Sequence, residues 1–162
     1  MRLTHRPVAE QDLAAICAFT QSAAELFYCF PKADFPLSPE QLPAAIEQRR
    51  DSTVVLLAGA GVAVATLDRW ATGGVCAIGN VMVAPAARGR GVARYLIEQM
   101  LDTAFTRHQA CEVQVSCFNP NVAGLLLYPQ LGFLPCSVEE RAGKGGERLA
   151  LIHFRLASPA CR

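Results

Sequence analysis

No apolar stretch in this 162-residue chain approaches the ~18 residues that a membrane-crossing helix requires, and residues 1–6 lack the apolar core of a signal peptide. Charge is scarce and balanced: 15 basic residues against 14 acidic ones leave a net charge of +1, which offers nucleic acid or an anionic bilayer no electrostatic footprint. Lysine is nearly missing, at Lys32 and Lys144 only, but an arginine bias arises from composition as readily as from function and carries no argument. The seven cysteines (Cys17, Cys29, Cys76, Cys111, Cys117, Cys136, Cys161) are odd in number and include no Cys-x-x-Cys pair. Several lie inside apolar runs, where cysteine behaves as a small hydrophobe, so neither a disulfide framework nor a zinc site is expected. His5, His108 and His153 show no metal-ligand spacing; each reads as a surface or packing residue, and no metal is expected. These absences predict a cytoplasmic protein in a reducing compartment, with neither membrane nor nucleic acid as partner.

What the chain has instead is core-forming material. An apolar fraction of 52% with 18% charged residues describes a globular chain, and without repeat, linker or low-complexity segment residues 1–162 are expected to form a single domain. Residues 3–6 read as a short strand ended by Pro7, and 9–19 as a helix with Leu13, Ile16 and Cys17 inward. Residues 25–36 hold four of the eleven Phe and Tyr residues, Phe27, Tyr28, Phe30 and Phe35, and are broken by two prolines. They look too irregular for a regular element and too apolar for a solvated loop. Either they pack between helices or they form one wall of an acceptor pocket. Ser38 as N-cap and Pro39 at the first helical position open a helix to about Arg50. Strands follow at 52–58 and 62–69 around Gly59-Ala60-Gly61, then at 75–84. After a helix over 92–109 come a strand at 111–118, a short helix at 122–131 ended by Gly132, and strands near 133–140 and 148–156. The order β-α-α-β-β-β-α-β-α-β-β predicts an α+β fold, a mixed and mostly antiparallel central sheet flanked by helices. In it the strands 75–84 and 111–118 are parallel neighbours.

One junction stands out. The strand ending in Val81-Met82-Val83 meets Pro85, and apolar residues at Val92, Leu96, Ile97 and Met100 then repeat with helical period. Between them, Arg88-Gly89-Arg90-Gly91-Val92-Ala93 lets the backbone curl tightly and present successive N–H groups at a helix N-terminus, which favours an anion. Arg88 and Arg90 add cations. A Walker loop is excluded because no Gly-Lys-Ser/Thr follows, and a dinucleotide fingerprint would need glycine where Arg94 stands.

Arg88, Gly91 and Ala93 match the pattern Arg/Gln-x-x-Gly-x-Gly/Ala, and after Val81-Met82-Val83-Ala84-Pro85 this resembles the acetyl-CoA loop of the GCN5-related N-acetyltransferases, the GNAT family. The segment 121–133, Asn-Val-Ala-Gly-Leu-Leu-Leu-Tyr-Pro-Gln-Leu-Gly-Phe, resembles that family's Asn-x-x-Ala-x-x-Leu-Tyr-x-x-Leu-Gly-Phe, with Gly124 replacing the usual small residue. Two motifs in order, joined by one helix and one strand, are far more specific than either alone, and the element order matches the family from residue 1 to about 156. Residues 26–33 with 80–96 further look like a bacterial subgroup that acetylates lysine-type amines.

The resemblance implies acetyl-CoA as cosubstrate and transfer of its acetyl group to a primary amine, of a small molecule or a peptide lysine, by direct attack in a ternary complex. It implies that Arg88, Gly89, Arg90, Gly91, Val92, Ala93 and Arg94 hold the pyrophosphate, and that the backbone of Val81, Met82 and Val83 binds the pantetheine like an added strand. Tyr128 stands where the family has the acid that protonates the leaving thiolate; its other reading is a core aromatic with a satisfied hydroxyl. Asn121 caps its helix or bonds CoA. Some relatives have glutamate where Ser116 stands; serine is a poor base at neutral pH, though Ser116 can orient a water or the amine, and Asn80 can bind but cannot take a proton, so a water relay is expected as base. Cys117 invites an acetyl-cysteine route, but no histidine partner is visible. Glu25, Phe27, Tyr28 and Asp34 are assigned to the acceptor, the acids drawing a cationic amine toward the aromatic wall. The alternative is a non-catalytic CoA-binding regulatory module, favoured by the missing carboxylate at 116 and opposed by Tyr128. A monomer or a homodimer suits either.

Overall fold

Antiparallel pairing builds the first half of the sheet. The computed structural model describes residues 1–69 and 71–161. β1 (Leu3–Pro7) pairs with β2 (Arg50–Leu57), β2 with β3 (Ala60–Arg69) and β3 with β4 (Val75–Val83), each antiparallel. Helix α4 (Val92–Asp102) then returns the chain, so that β5 (Glu112–Phe118) lies parallel to β4. β7 (Arg148–Ala157) pairs antiparallel with β5, and β6 (Leu134–Ala142) folds back on β7 as an edge strand. The seven strands run β1-β2-β3-β4-β5-β7-β6 in one sheet. The fold is α+β with a mostly antiparallel sheet, and the adjacent parallel pair predicted from the crossover is present.

Strand alternation sorts the two faces. Ala63, Ala65 and Leu67 of β3 pack under α4 with Leu96, Ile97 and Met100, while Val64 and Met82 meet Ile16, Phe19, Leu26 and Leu42 on the other face. That second face carries α1 (Leu13–Cys17), α2 (Ala23–Cys29) and α3 (Leu42–Glu47). One helix more is formed than the sequence predicts, because residues 23–29 of the aromatic segment are regular. Ser22 Oγ accepts from the Glu25 N–H at 3.1 Å, which satisfies an orphan donor of α2, and the Glu25 carboxylate accepts from the Gln21 N–H, just before the cap, at 2.7 Å. The flanking helices are shorter than predicted. Residues 10–12 and 39–41 form 3-10 turns ahead of α1 and α3, and α4 ends in a π-type turn over Thr103–Arg107. Ser38 does not cap; its hydroxyl accepts from Gln41 Nε2 at 3.2 Å. His108 is a buried packing residue, with Nε2 2.5 Å from Asp51 Oδ2. No helix among the described residues is long and apolar enough to cross a membrane.

One irregularity positions everything that follows. β4 and β5 share only four rungs, from Val75 opposite Glu112 to Ile78 opposite Val115. Immediately beyond, Gly79 pairs with Thr66 and Met82 with Val64, so Asn80 and Val81 together oppose the single residue Ala65. Asn80 takes φ +51°, a conformation asparagine tolerates better than most side chains. This bulge bends β4 away from β5, and from Gly79 to Val83 one edge of β4 carries no strand.

Candidate active site

The wedge between β4 and β5 opens into a cleft of about 700 Å³. Its walls are Val81, Met82 and Val83 of β4, the loop and first turn of α4, helix α5 (Val122–Gln130) with its cap Asn121, and Phe19, Thr20, Glu25, Tyr28 and Cys29 around α2. Gly89 and Gly91 have φ of +70° and +78°, where a side chain is strained. The first bond within α4 runs from the Tyr95 N–H to the Gly91 carbonyl at 3.1 Å, which leaves the N–H groups of residues 91–94 without acceptors in the helix, at the cleft wall. Together with the helix dipole they suit a phosphate.

Arg88 is not a free cation over this cradle. Its guanidinium donates to Glu25 Oε1 at 2.9 Å and to the Phe19 carbonyl at 2.9 Å, and Nε donates to the Val83 carbonyl at 3.2 Å. The Arg88 hydrogen bond, seconded by the Gln21 N–H, holds the Glu25 carboxyl below its ordinary range. Two residues predicted to serve different substrates therefore form one tether between α2 and the loop. Arg94 donates to Gln130 Oε1 at 2.9 Å, and Arg90 is exposed outside the cleft lining.

Helix α5 places Tyr128. Asn121 Oδ1 accepts from the Gly124 N–H at 3.1 Å, so Asn121 is the N-cap. At the other end Gly132 has φ +92°, the Phe133 N–H bonds the Tyr128 carbonyl at 3.1 Å and the Gly132 N–H bonds Pro129 at 3.0 Å. This is a Schellman motif, with its usual apolar contact supplied by the Phe133 and Tyr128 rings, centroids 5.8 Å apart. The Leu-Gly-Phe that follows Tyr128 is thus the clamp that fixes the ring, helped by Phe154 at 5.8 Å. Tyr128 is buried yet lines the cleft, and no hydrogen bond among the described residues engages its hydroxyl. Burial raises the phenol pKa, so the hydroxyl stays protonated and available as a donor.

The family profile decides what this cleft belongs to: the acetyltransferase (GNAT) family model matches residues 18–133. The chain belongs to the GNAT acetyltransferase family. It is an acetyl-CoA-dependent N-acetyltransferase. The whole GNAT fold recurs in solved structures of low identity. The yncA protein of Salmonella typhimurium, solved with acetyl-CoA, is 21% identical over 97% of this chain and 94% of its own, with a TM-score of 0.77. A ribosomal-protein-alanine N-acetyltransferase from Brucella melitensis is 22% identical over 96% of this chain and 99% of its own, at TM-score 0.77. An N-acetyltransferase from Staphylococcus aureus is 19% identical over 97% and 99%, at TM-score 0.78. A comparison with curated proteins finds no match.

Several residues assigned to this GNAT site from sequence are engaged elsewhere. Asn80 does not line the main cleft; its Nδ2 donates to the Cys29 carbonyl at 3.0 Å and its Oδ1 accepts from Thr66 Oγ1 at 3.2 Å, tying α2 to the bulge. Ser116 is exposed, outside the cleft lining, and lies 2.7 Å from His153 Nδ1. Asp34 is outside the cleft with a 91% exposed side chain and pairs with Lys144 at 2.8 Å. Of the four predicted acceptor residues, Glu25 and Tyr28 reach the cleft, while Phe27 packs on Phe118 with centroids 5.1 Å apart. The ring contact of Phe118 with Phe27 and Tyr28, and the bond of His153 to Ser116, have no signal in the sequence. Burial pushes the thiols of Cys117 and Cys29 up to about 11 and about 12, so neither supplies a thiolate nucleophile near neutral pH.

Gly124 has a local reason. A Cβ there would sit 2.7 Å from Cys117 Sγ and 3.2 Å from the Tyr128 ring. Alanine gains about 1 kcal/mol of helix propensity, but overpacking costs about 1–3 kcal/mol. We expect Gly124→Ala to lower the melting temperature by roughly 2–6 °C, and the Gly124→Ala/Cys117→Ala double variant to recover it. Thermal unfolding of the full double-mutant cycle checks this; additive effects would show that the two positions do not collide.

Proposed function

We propose that this GNAT enzyme acetylates a primary amine, on a small molecule or a lysine-type side chain, by direct attack on the thioester in a ternary complex. The diphosphate sits on the N-terminus of α4, and the pantetheine lies along the open edge of β4 as a substitute strand. The amine nitrogen bonds to the acetyl carbon, the C–S bond breaks with its electron pair on sulfur, and Tyr128 protonates the thiolate. The observation that carries this reading is the Tyr128 hydroxyl: unengaged among the described residues, kept protonated, and clamped at the cleft by its Schellman turn. On the acceptor side, the Tyr28 ring lines the cleft, backed by Phe27 and Phe118, and suits an ammonium group. A cytoplasmic setting rests on the odd number of cysteines and the lack of a Cys-x-x-Cys pair.

The test is release of CoA thiol from acetyl-CoA with spermidine, 2-phenylethylamine and L-lysine amide, with the product identified by mass. Acetylation of at least one amine is expected, with intersecting lines when initial rates are plotted at varied acetyl-CoA and amine. Parallel lines would defeat direct attack, and an enzyme that binds acetyl-CoA but acetylates none of the three would defeat the amine reading.

A further inference from the structure

Three polar side chains from three neighbouring strands meet on the sheet face opposite α5. Ser116 of β5 is the register partner of His153 of β7, and His153 is the partner of Ser137 of β6, so these side chains share a face. Ser116 Oγ lies 2.7 Å from His153 Nδ1. His153 Nε2 lies 3.5 Å from Glu139 Oε1, whose residue stands two positions beyond Ser137 on the same face. The sequence keeps these positions 14 to 37 residues apart, and only the strand order brings them together.

Their place in the fold is what gives the group meaning. Ser116 is the first β5 residue beyond the last rung with β4, at the point of the wedge. Two residues on, along the same strand face, Phe118 packs against Tyr28, which lines the cleft. The serine therefore shares a strand face with the ring that backs the cleft wall, at the point where β5 parts from β4. On its far side the imidazole faces an ionised carboxylate that is itself paired with an arginine. Glu139 is held below its ordinary range first by Arg141, at 2.7 Å from Nε, with His153 adding to the effect. Arg155 lies two positions along β7 on the same face, Gln114 two positions back along β5, and the Cys136 thiol donates to the His153 carbonyl at 3.4 Å.

We propose that Ser116, His153 and Glu139 form the proton relay that deprotonates the acceptor amine, which deepens and rests on the amine reading above. The acceptor arrives largely as an ammonium ion, since a lysine-type amine titrates near pH 10.4, and needs a free electron pair before it can attack. An N–H bond breaks with its electrons left on nitrogen. Ser116 Oγ receives that proton as its own hydroxyl proton passes to His153 Nδ1. The imidazolium so formed faces the Glu139 carboxylate and discharges to solvent through a side chain that is 31% exposed. The amine nitrogen gives up two protons on its way to the amide; one ends on sulfur and one in water. Ser116 is the group that touches substrate, and His153 and Glu139 act through it.

The test is kcat/KM against pH with 2-phenylethylamine, together with nitrogen NMR of the His153 ring in the same proteins. His153→Gln and Ser116→Ala are each expected to lower kcat/KM at pH 6.5 about tenfold or more and to flatten the acidic limb, with the affinity for acetyl-CoA unchanged. Glu139→Gln, which removes the carboxylate beside the imidazole, is expected to lower kcat/KM severalfold with acetyl-CoA affinity unchanged, and Ser116→Ala to disturb the Nδ1 resonance of His153. A His153→Gln enzyme that retains more than half of wild-type kcat/KM and its acidic limb overturns the relay while leaving amine acetylation standing. A wild-type enzyme that acetylates no amine overturns both.

Discussion

Tyr128→Phe is expected to lower kcat by about 10²–10⁴-fold while leaving the affinity for acetyl-CoA and the melting temperature close to wild type. The substitution removes one hydroxyl and keeps the ring that packs on Phe133 and Phe154. That hydroxyl has no hydrogen-bond partner among the described residues, so its loss breaks no bond that supports the fold. A proton donor acts on charge that develops only as the C–S bond breaks, so its removal falls on kcat and not on ground-state binding. The raised phenol pKa adds a second signature: loss of the Tyr128 proton should produce no alkaline limb in kcat below about pH 10, its ordinary value. Steady-state rates and thermal unfolding on one variant decide the matter. A folded Tyr128→Phe enzyme keeping more than half its kcat would falsify the assignment.

Gly91→Val is expected to weaken CoA binding ten- to hundredfold, about 1.4–2.7 kcal/mol, in a protein that still folds. At Gly91 φ is +78° and an added Cβ meets nothing within 4 Å, so under the proposed diphosphate site the loss comes from a side chain set where the phosphates would approach. Backbone strain alone is separated by a matched control. Gly59 has φ +83° and equal room, but sits in the β2–β3 turn away from the cleft. Gly59→Val should lower the melting temperature comparably and leave CoA affinity intact. Calorimetric titration of both variants with CoA checks this, and equal affinities would remove the loop from the diphosphate site.

Short-range patterns carried most of the architecture. The Gly-x-Gly loop, the Leu-Gly-Phe stop and the hairpin glycines state their geometry within a few residues, because positive φ is a local demand. What was hidden depends on pairing across the chain. Glu25 and Arg88 looked like binders of two different ligands because nothing local reveals that α2 docks beside the loop, 63 residues later in the chain. Asp34 looked like an acceptor acid because its partner Lys144 lies on the far hairpin. His153 looked like a surface histidine until β7 was inserted between β5 and β6. Two misses had local signals. Ser22 followed by Glu25 marks a helix start within the aromatic segment. Gly79-Asn80 inside an apolar strand marks a bulge.

Among the described residues, the two halves of the sheet, β1 to β4 and β5 to β7, pair through only the four rungs of β4 and β5, extended by the Cys111 N–H to the Gly74 carbonyl at 2.8 Å. A ligand lying in the wedge binds groups that are adjacent only when both halves are docked, so it has no comparable site on the unfolded chain. The native state is then stabilised by mass action, by about 2.7 kcal/mol at a hundredfold excess over the dissociation constant. For a protein whose halves meet over so short a seam, its resistance to unfolding, and hence its lifetime among proteases, rises and falls with the supply of acetyl-CoA.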